Sequence, residues 1–261
     1  MLHYIKIGTG AKVMVGFHGF GRDASMFQNY ENVFPGYTIY SISLFYHGSH
    51  WQDQDAGLSD EKWKAMFGDF LDKESIQNFS LLGFSLGGKM ALYTFQLYGH
   101  QVDALYLIAP YGIKANIVEW LTQKFPLVYQ KLEKYVYQPA FLLSLLGVLR
   151  QYKLVNPTLV NITLKQMKSL DSRTRSYHSM RLYGTLRLNL KEIKAKLEKS
   201  GIPVTFYLGR FDSILTSEVL HKYTSSFMNF SLHVLPEGHG RLPDVVAQKF
   251  GRQPEMAYSF V

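Results

Sequence analysis

Residues 80–91 read SLLGFSLGGKMA, and two incompatible motifs overlap in them. Gly83 to Lys89 fits G-x-x-x-x-G-K, the opening of a phosphate-cradling loop, while Gly83 to Gly87 fits G-x-S-x-G, a tight turn that presents a nucleophilic serine. The residue after the lysine decides between them. A phosphate loop needs a Ser or Thr there, because that hydroxyl ligates the magnesium ion, and this chain has Met90. The next apolar strand ends ALYLIAP, with no carboxylate to hold a metal. The serine turn asks instead for small residues two before and two after the nucleophile, and Gly83 and Gly87 supply them.

The sequence on either side has the alternation such a turn requires. NFSLLGF (78–84) is an apolar strand, and LGGKMALYTFQLY (86–98) has helical composition. Upstream, HYIKIG (3–8) and KVMVGF (12–17) read as an opening strand pair and YTIYSISLF (37–45) as a third strand. SDEKWKAMFGDFLDKE (59–74) places Trp63, Met66, Phe67, Phe70 and Leu71 at helical spacing behind a Ser59/Asp60 cap. Downstream, VDALYLIAP (102–110) has the continuous apolar look of a buried parallel strand. The helix 188–201, strand 203–212, helix 217–227, strand 229–236 and helix 243–250 then complete an α/β pattern with a mostly parallel central sheet. The alternation is interrupted once. From Tyr111 to Arg187 the chain is helical in pattern and divided by Pro126, Pro139 and Pro157, so a core of 1–110 plus 188–261 is expected to carry an inserted helical lid at 111–187.

A serine hydroxyl near neutral pH needs a general base, and the base needs an orienting carboxylate. After a late strand stands Asp212, in FYLGRFDSI; after the last strand stands His239, in HVLPEGHG. Loops at the carboxyl ends of parallel strands gather at one edge of a sheet, which would bring Ser85, Asp212 and His239 together in the order serine, acid, histidine. His233 lies inside the final apolar strand and is set aside.

With these residues the chain resembles the α/β-hydrolase superfamily over nearly all of its core. VGFHGFGRD (15–23) is similar to the family's His-Gly turn, and the resemblance implies an oxyanion hole built from the backbone N–H groups of Phe20 and Leu86. His18 in that turn is expected to be structural, and Arg22, Tyr46 and His47 to lie near the mouth of the site. SLFYHGSH (43–50) resembles the family loop Asp-x-x-Gly-His-Gly-x-Ser, but with Ser43 for the Asp and Tyr46 for the first Gly. The family implies a serine hydrolase cleaving a carboxylic ester or thioester with an apolar acyl group, using no metal or organic cofactor. Two alternatives stay open: a lidded enzyme of C–C cleavage or elimination, similar to those of menaquinone pathways, and a ligand-binding protein on the same fold.

Composition bounds the rest. The 261 residues suffice for one large domain, and the absence of cysteine excludes disulfides and thiolate catalysis. Residues 1–20 lack a basic run followed by a sustained apolar stretch, so a cytoplasmic location is expected. The formal charge of +8 is concentrated: residues 111–187 hold twelve Lys or Arg against three Asp or Glu, leaving sixteen against seventeen elsewhere. A basic lid suits an anionic substrate; its contact with a membrane surface is possible but not favoured, and no nucleic-acid-binding pattern is present. The aromatic residues Trp120, Phe125, Tyr129, Tyr135, Tyr137 and Phe141 are expected to pack the lid, one face of which would wall an acyl pocket.

Overall fold

The computed structural model describes residues 2–48, 57–113, 117–152, 160–161, 164–165, 167–212, 214–224 and 229–251. Ser49 and His50 of the 43–50 loop, and Pro157, lie outside the described residues.

Seven strands form one sheet: β1 (Tyr4–Ile7), β2 (Lys12–Phe17), β3 (Tyr37–Ile42), β4 (Phe79–Phe84), β5 (Val102–Ile108), β6 (Val204–Gly209) and β7 (Phe230–Leu235). Their order is β1-β3-β2-β4-β5-β6-β7, and only β1 runs antiparallel to its neighbour. The expected pairing of β1 with β2 does not form, because β3 lies between them. The short connection instead passes over the start of β3: Lys12 N–H donates to Gly36 O at 3.0 Å, and the Thr38 hydroxyl donates to Gly10 O at 2.7 Å. A Cβ on Gly10 would stand 2.3 Å from Gly36 O, so the crossing is closed to any other residue.

β4 is buried along its whole length, as a central strand covered on both faces must be. One face is covered by α1 (Asp60–Lys73) and α2 (Leu86–Tyr98), which meet where Trp63 Nε1–H donates to Thr94 Oγ1 at 3.1 Å. Ser59 caps α1 by accepting from Lys62 N–H at 3.2 Å, and Trp63, Phe67, Phe70 and Leu71 are its buried residues, with Met66 packed partly beside them. Trp63 and Phe67 stack at 5.4 Å, and Phe17 of β2 approaches Trp63 at 6.0 Å.

Between β5 and β6 the described chain forms helices: α3 (Ile117–Lys124), α4 (Pro126–Gln130), α5 (Lys134–Tyr137), α6 (Ala140–Gln151) and α7 (Leu170–Thr185), then α8 (Leu190–Ser200). Pro126 opens α4 and Pro139 precedes α6, so two of the prolines read as dividers do divide. The end of α7 joins the main core through Leu182 and Tyr183, while Tyr129, Val136 and Tyr177 form a small second cluster. α8 closes on Gly201, which is left-handed at φ +63°. α9 (Ser217–Thr224) and α10 (Leu242–Phe250) flank β7. Of the aromatic residues expected to pack this region, Tyr129 is buried and Tyr135 half-buried, but Trp120, Phe125, Tyr137 and Phe141 face outward.

Candidate active site

Ser85 occupies the one residue between β4 and α2. Its backbone is at φ +51°, ψ −113°, a region that L-residues rarely adopt, and neighbours on several sides fix it there. Ser85 N–H donates to Ile108 O at 3.0 Å, and Ser85 O accepts from Gly88 N–H and Tyr111 N–H, both at 2.9 Å. The flanking glycines have steric reasons. A Cβ on Gly83 would stand 2.5 Å from Gly87 O, and one on Gly87 would stand 1.8 Å from Phe17 O. The turn therefore folds against itself and against the end of β2 so closely that no side chain fits.

His239 and Asp212 reach the same point from the ends of later strands. His239 Nε2 is 2.9 Å from Ser85 Oγ, and its Nδ1 is 2.7 Å from Asp212 Oδ2. The carboxylate accepts from Nδ1–H, which leaves Nε2 free to accept the serine proton. Asp212 is buried, and its other oxygen accepts from Ile214 N–H at 2.8 Å, so the carboxylate both orients the imidazole and holds its own loop. The loops of β6 and β7 are tied to each other: Arg210 N–H donates to Leu235 O at 2.7 Å and Phe211 N–H to Glu237 O at 3.1 Å. The three residues expected to meet are thus joined through His239, which is within hydrogen-bond reach of both Ser85 and Asp212. His233, set aside because it lies within the last strand, packs on Tyr207 and Phe250.

The His18–Gly19–Phe20 turn sits beside the elbow because β2 and β4 are neighbours, with Phe17 opposite Gly83. A Cβ on Gly19 would stand 2.5 Å from the Phe84 ring, and that ring lies 5.1 Å from the His239 ring. Leu86 N–H opens α2, where an amide has no acceptor within the helix, and Phe20 N–H makes no hydrogen bond among the described residues. His18 is fully buried and structural: Nδ1–H donates to Gly19 O at 2.9 Å, and Nε2 accepts from Leu44 N–H at 3.0 Å. Burial, and then the neighbouring His47, hold its pKa down at about 3, so the ring stays neutral. His47 is buried too; it donates to Phe45 O at 2.8 Å and meets Phe20 edge-on at 5.3 Å, with burial lowering its pKa to about 4. Arg22 bridges the two halves of the site, its guanidinium donating to Gly240 O at 3.0 Å.

Two features had little signal in the sequence. Lys89, the lysine of the rejected phosphate motif, is buried in an ion pair with Glu119 of α3 and donates to Tyr183 O at 2.7 Å. It fastens α2 to α3 and α7. The second is a cavity of about 250 Å³ lined by Tyr46, Thr122, Tyr129, His178, Arg181 and Thr185 among others. Among the described residues of its lining, Arg181 is the one permanent cation and no carboxylate is present. Ser85, Asp212 and His239 are not in its wall. Tyr46 of its wall stacks on His178 at 5.2 Å and precedes His47, whose ring meets that of Phe20 at 5.3 Å.

Comparison with curated protein sequences finds no match. Among solved structures, a malate-bound thermophilic esterase from Thermogutta terrifontis superposes with a TM-score of 0.67 at 16% identity, over 95% of this chain and 90% of that one. A thioesterase domain from the curacin biosynthetic pathway gives 0.59 at 14% identity over 96% and 97%. A structure from a study of carboxylesterases of the thaumarchaeon Nitrososphaera gargenis gives 0.61 at 15% over 95% and 89%. At these identities the likeness is one of fold. The family model described as the alpha/beta hydrolase fold matches residues 12–242, which covers all but the ends of the chain. The elbow, the sheet order and this match together place the chain in the α/β-hydrolase fold family.

Proposed function

We propose that the protein is a serine hydrolase that cleaves a carboxylic ester or thioester through an acyl-enzyme on Ser85. The observation that carries this reading is the continuous relay from Asp212 Oδ2 through His239 to Ser85 Oγ, at 2.7 and 2.9 Å, on a backbone held in a strained elbow. In this reading His239 Nε2 takes the Ser85 proton as Oγ attacks the carbonyl carbon, and Asp212 stabilises the imidazolium that forms. The carbonyl oxygen becomes an oxyanion, and the N–H groups of Phe20 and Leu86 receive it. One such donor contributes about 3 kcal/mol to transition-state stabilisation. Collapse breaks the bond to the alcohol or thiol, which leaves with the proton from His239. Water then gives a proton to Nε2 as it attacks the acyl carbon, and collapse of the adduct expels Ser85 Oγ, which takes that proton back, and releases the carboxylic acid.

The helices between β5 and β6 would act as a lid in this reading, and their cavity supports an anionic substrate. A pocket whose described lining holds one arginine and no carboxylate favours a carboxylate or phosphate on the acyl or leaving group. The relatives that are an esterase and a thioesterase domain favour the same bond class.

Labelling with a fluorophosphonate, followed by peptide mass mapping, tests the reading. A single adduct on Ser85, lost in Ser85→Ala and His239→Ala, is the expected result. Folded wild-type protein that takes no adduct, from this probe or a larger one, would instead make this a binding protein on a hydrolase fold.

A further inference from the structure

α6 has the sequence AFLLSLLGVLRQ, and none of its residues is buried. Phe141, Leu145 and Val148, spaced i, i+4 and i+7, form one stripe with exposures of 60%, 41% and 47%. Leu142, Leu146 and Leu149 form the adjacent, half-buried stripe that seats the helix. Apolar residues on a soluble helix ordinarily face the core, so an outward stripe of this kind marks a surface that is covered in use.

Two observations identify what covers it. The first is charge. Lys124, Lys131, Lys134 and Arg150 are exposed on this segment, whereas Glu119 is consumed by Lys89 and Glu133 is half-buried. One of these basic groups adjoins the apolar stripe: Lys134 Nζ lies 4.9 Å from the centroid of the Tyr135 ring, which stacks on Phe141 at 5.3 Å. A second copy docking through this face would bring like charges together, while an anionic surface would gain both contacts. The second is dimension. Twelve residues of helix extend about 18 Å, too short to cross a bilayer but suited to lying in its headgroup region. No helix among the described residues is long and apolar enough to cross a membrane.

We infer that the α6 face is an interfacial docking surface for an anionic lipid bilayer, with the Phe141, Leu145 and Val148 stripe inserted among acyl chains and the neighbouring Lys134 on the headgroups. This assignment does not depend on the reaction at Ser85. It also gives the apolar stripe and the basic excess a common role.

Co-sedimentation of the full chain with phosphatidylcholine vesicles, with and without phosphatidylglycerol, tests it. The wild type is expected to bind the phosphatidylglycerol vesicles at least about tenfold more tightly, and high salt should weaken that preference. A variant combining Phe141→Ser, Leu145→Ser and Val148→Ser should lose about tenfold or more in binding with an unchanged unfolding midpoint, since all three side chains are exposed. Should that variant prove less stable, Phe141→Trp gives an independent reading: its added fluorescence should be quenched by brominated lipid. Three outcomes would overturn the inference: no vesicle binding by the wild type, binding that the serine variant retains, or a concentration-dependent dimer that the serine variant abolishes.

Discussion

Lys89 and Glu119 form a buried ion pair that ties α2, the helix that follows Ser85, to α3, the first helix between β5 and β6. Burial pulls the Lys89 pKa below its ordinary value, and the Glu119 carboxylate opposes that shift. Breaking such a pair from one side leaves a charge without a partner in a dry site. Glu119→Gln should therefore cost about 3–5 kcal/mol in urea denaturation, whereas Lys89→Met combined with Glu119→Leu should cost far less. If the single variant is as stable as the double, the pair does not hold the two elements together.

The elbow makes a second prediction, in which stability and activity move in opposite directions. Ser85 has φ +51° and ψ −113°, a conformation costing about 1–3 kcal/mol for a residue with a Cβ and almost nothing for glycine. Ser85→Gly should gain about 1 kcal/mol over Ser85→Ala after the added entropy of an unfolded glycine is subtracted. Both should lose at least about 10⁴-fold in kcat on any ester the wild type cleaves. Equal thermal midpoints for the two variants would show that the turn carries no strain.

Acid should weaken the protein above the range in which most carboxylates titrate. His18 and His47 have folded pKa values of about 3 and about 4, against an ordinary value near 6.5. Their depressed values mean that the unfolded chain binds protons first as pH falls. The stability they contribute is complete above about pH 6.5 and declines as pH drops, until about pH 4 for His47 and about pH 3 for His18. Each lowers stability by up to about 1.4 kcal/mol per pH unit within its window. Urea titrations between pH 7 and pH 4.5 should show the combined slope, and His47→Leu should roughly halve it. A wild-type slope near zero would mean that these rings take up protons without unfolding.

What was legible in the sequence was whatever the backbone alone enforces. Gly83 and Gly87 were identifiable because a side chain at either would collide with backbone within 2.5 Å, and Asp212 and His239 because strand ends in a parallel sheet fall at one edge. The place of β3 between β1 and β2 was hidden, since a short Gly8–Gly10 link is equally compatible with a hairpin and with a crossing over a third strand. Lys89 was hidden for another reason. A lysine in a helix reads as solvated, and only the three-dimensional meeting with Glu119, thirty residues on, buries it. The outward aromatic residues of the inserted helices were misjudged as packing because apolar periodicity reports that a face will be covered, and not by what.

The cavity around Arg181 makes the remaining prediction, and it separates substrates by charge. Arg181 stands on α7 three residues after His178, so both present to the same side of that helix and both line the cavity. A substrate that places a carboxylate there gains a charge-assisted hydrogen bond in the ground state and in the transition state alike. Its loss is a loss of uniform binding, which appears in KM and leaves kcat nearly unchanged. Arg181→Met should raise KM about 10- to 100-fold for esters of dicarboxylic acids and by less than about twofold for neutral esters of the same length. Arg181→Lys should recover part of the difference, since it keeps the charge and loses the planar fork. Equal effects on charged and neutral esters would mean that Arg181 supports the packing of Tyr129 and Tyr177 rather than the substrate, whereas a fall in kcat confined to charged esters would place the carboxylate at the reacting end of the site.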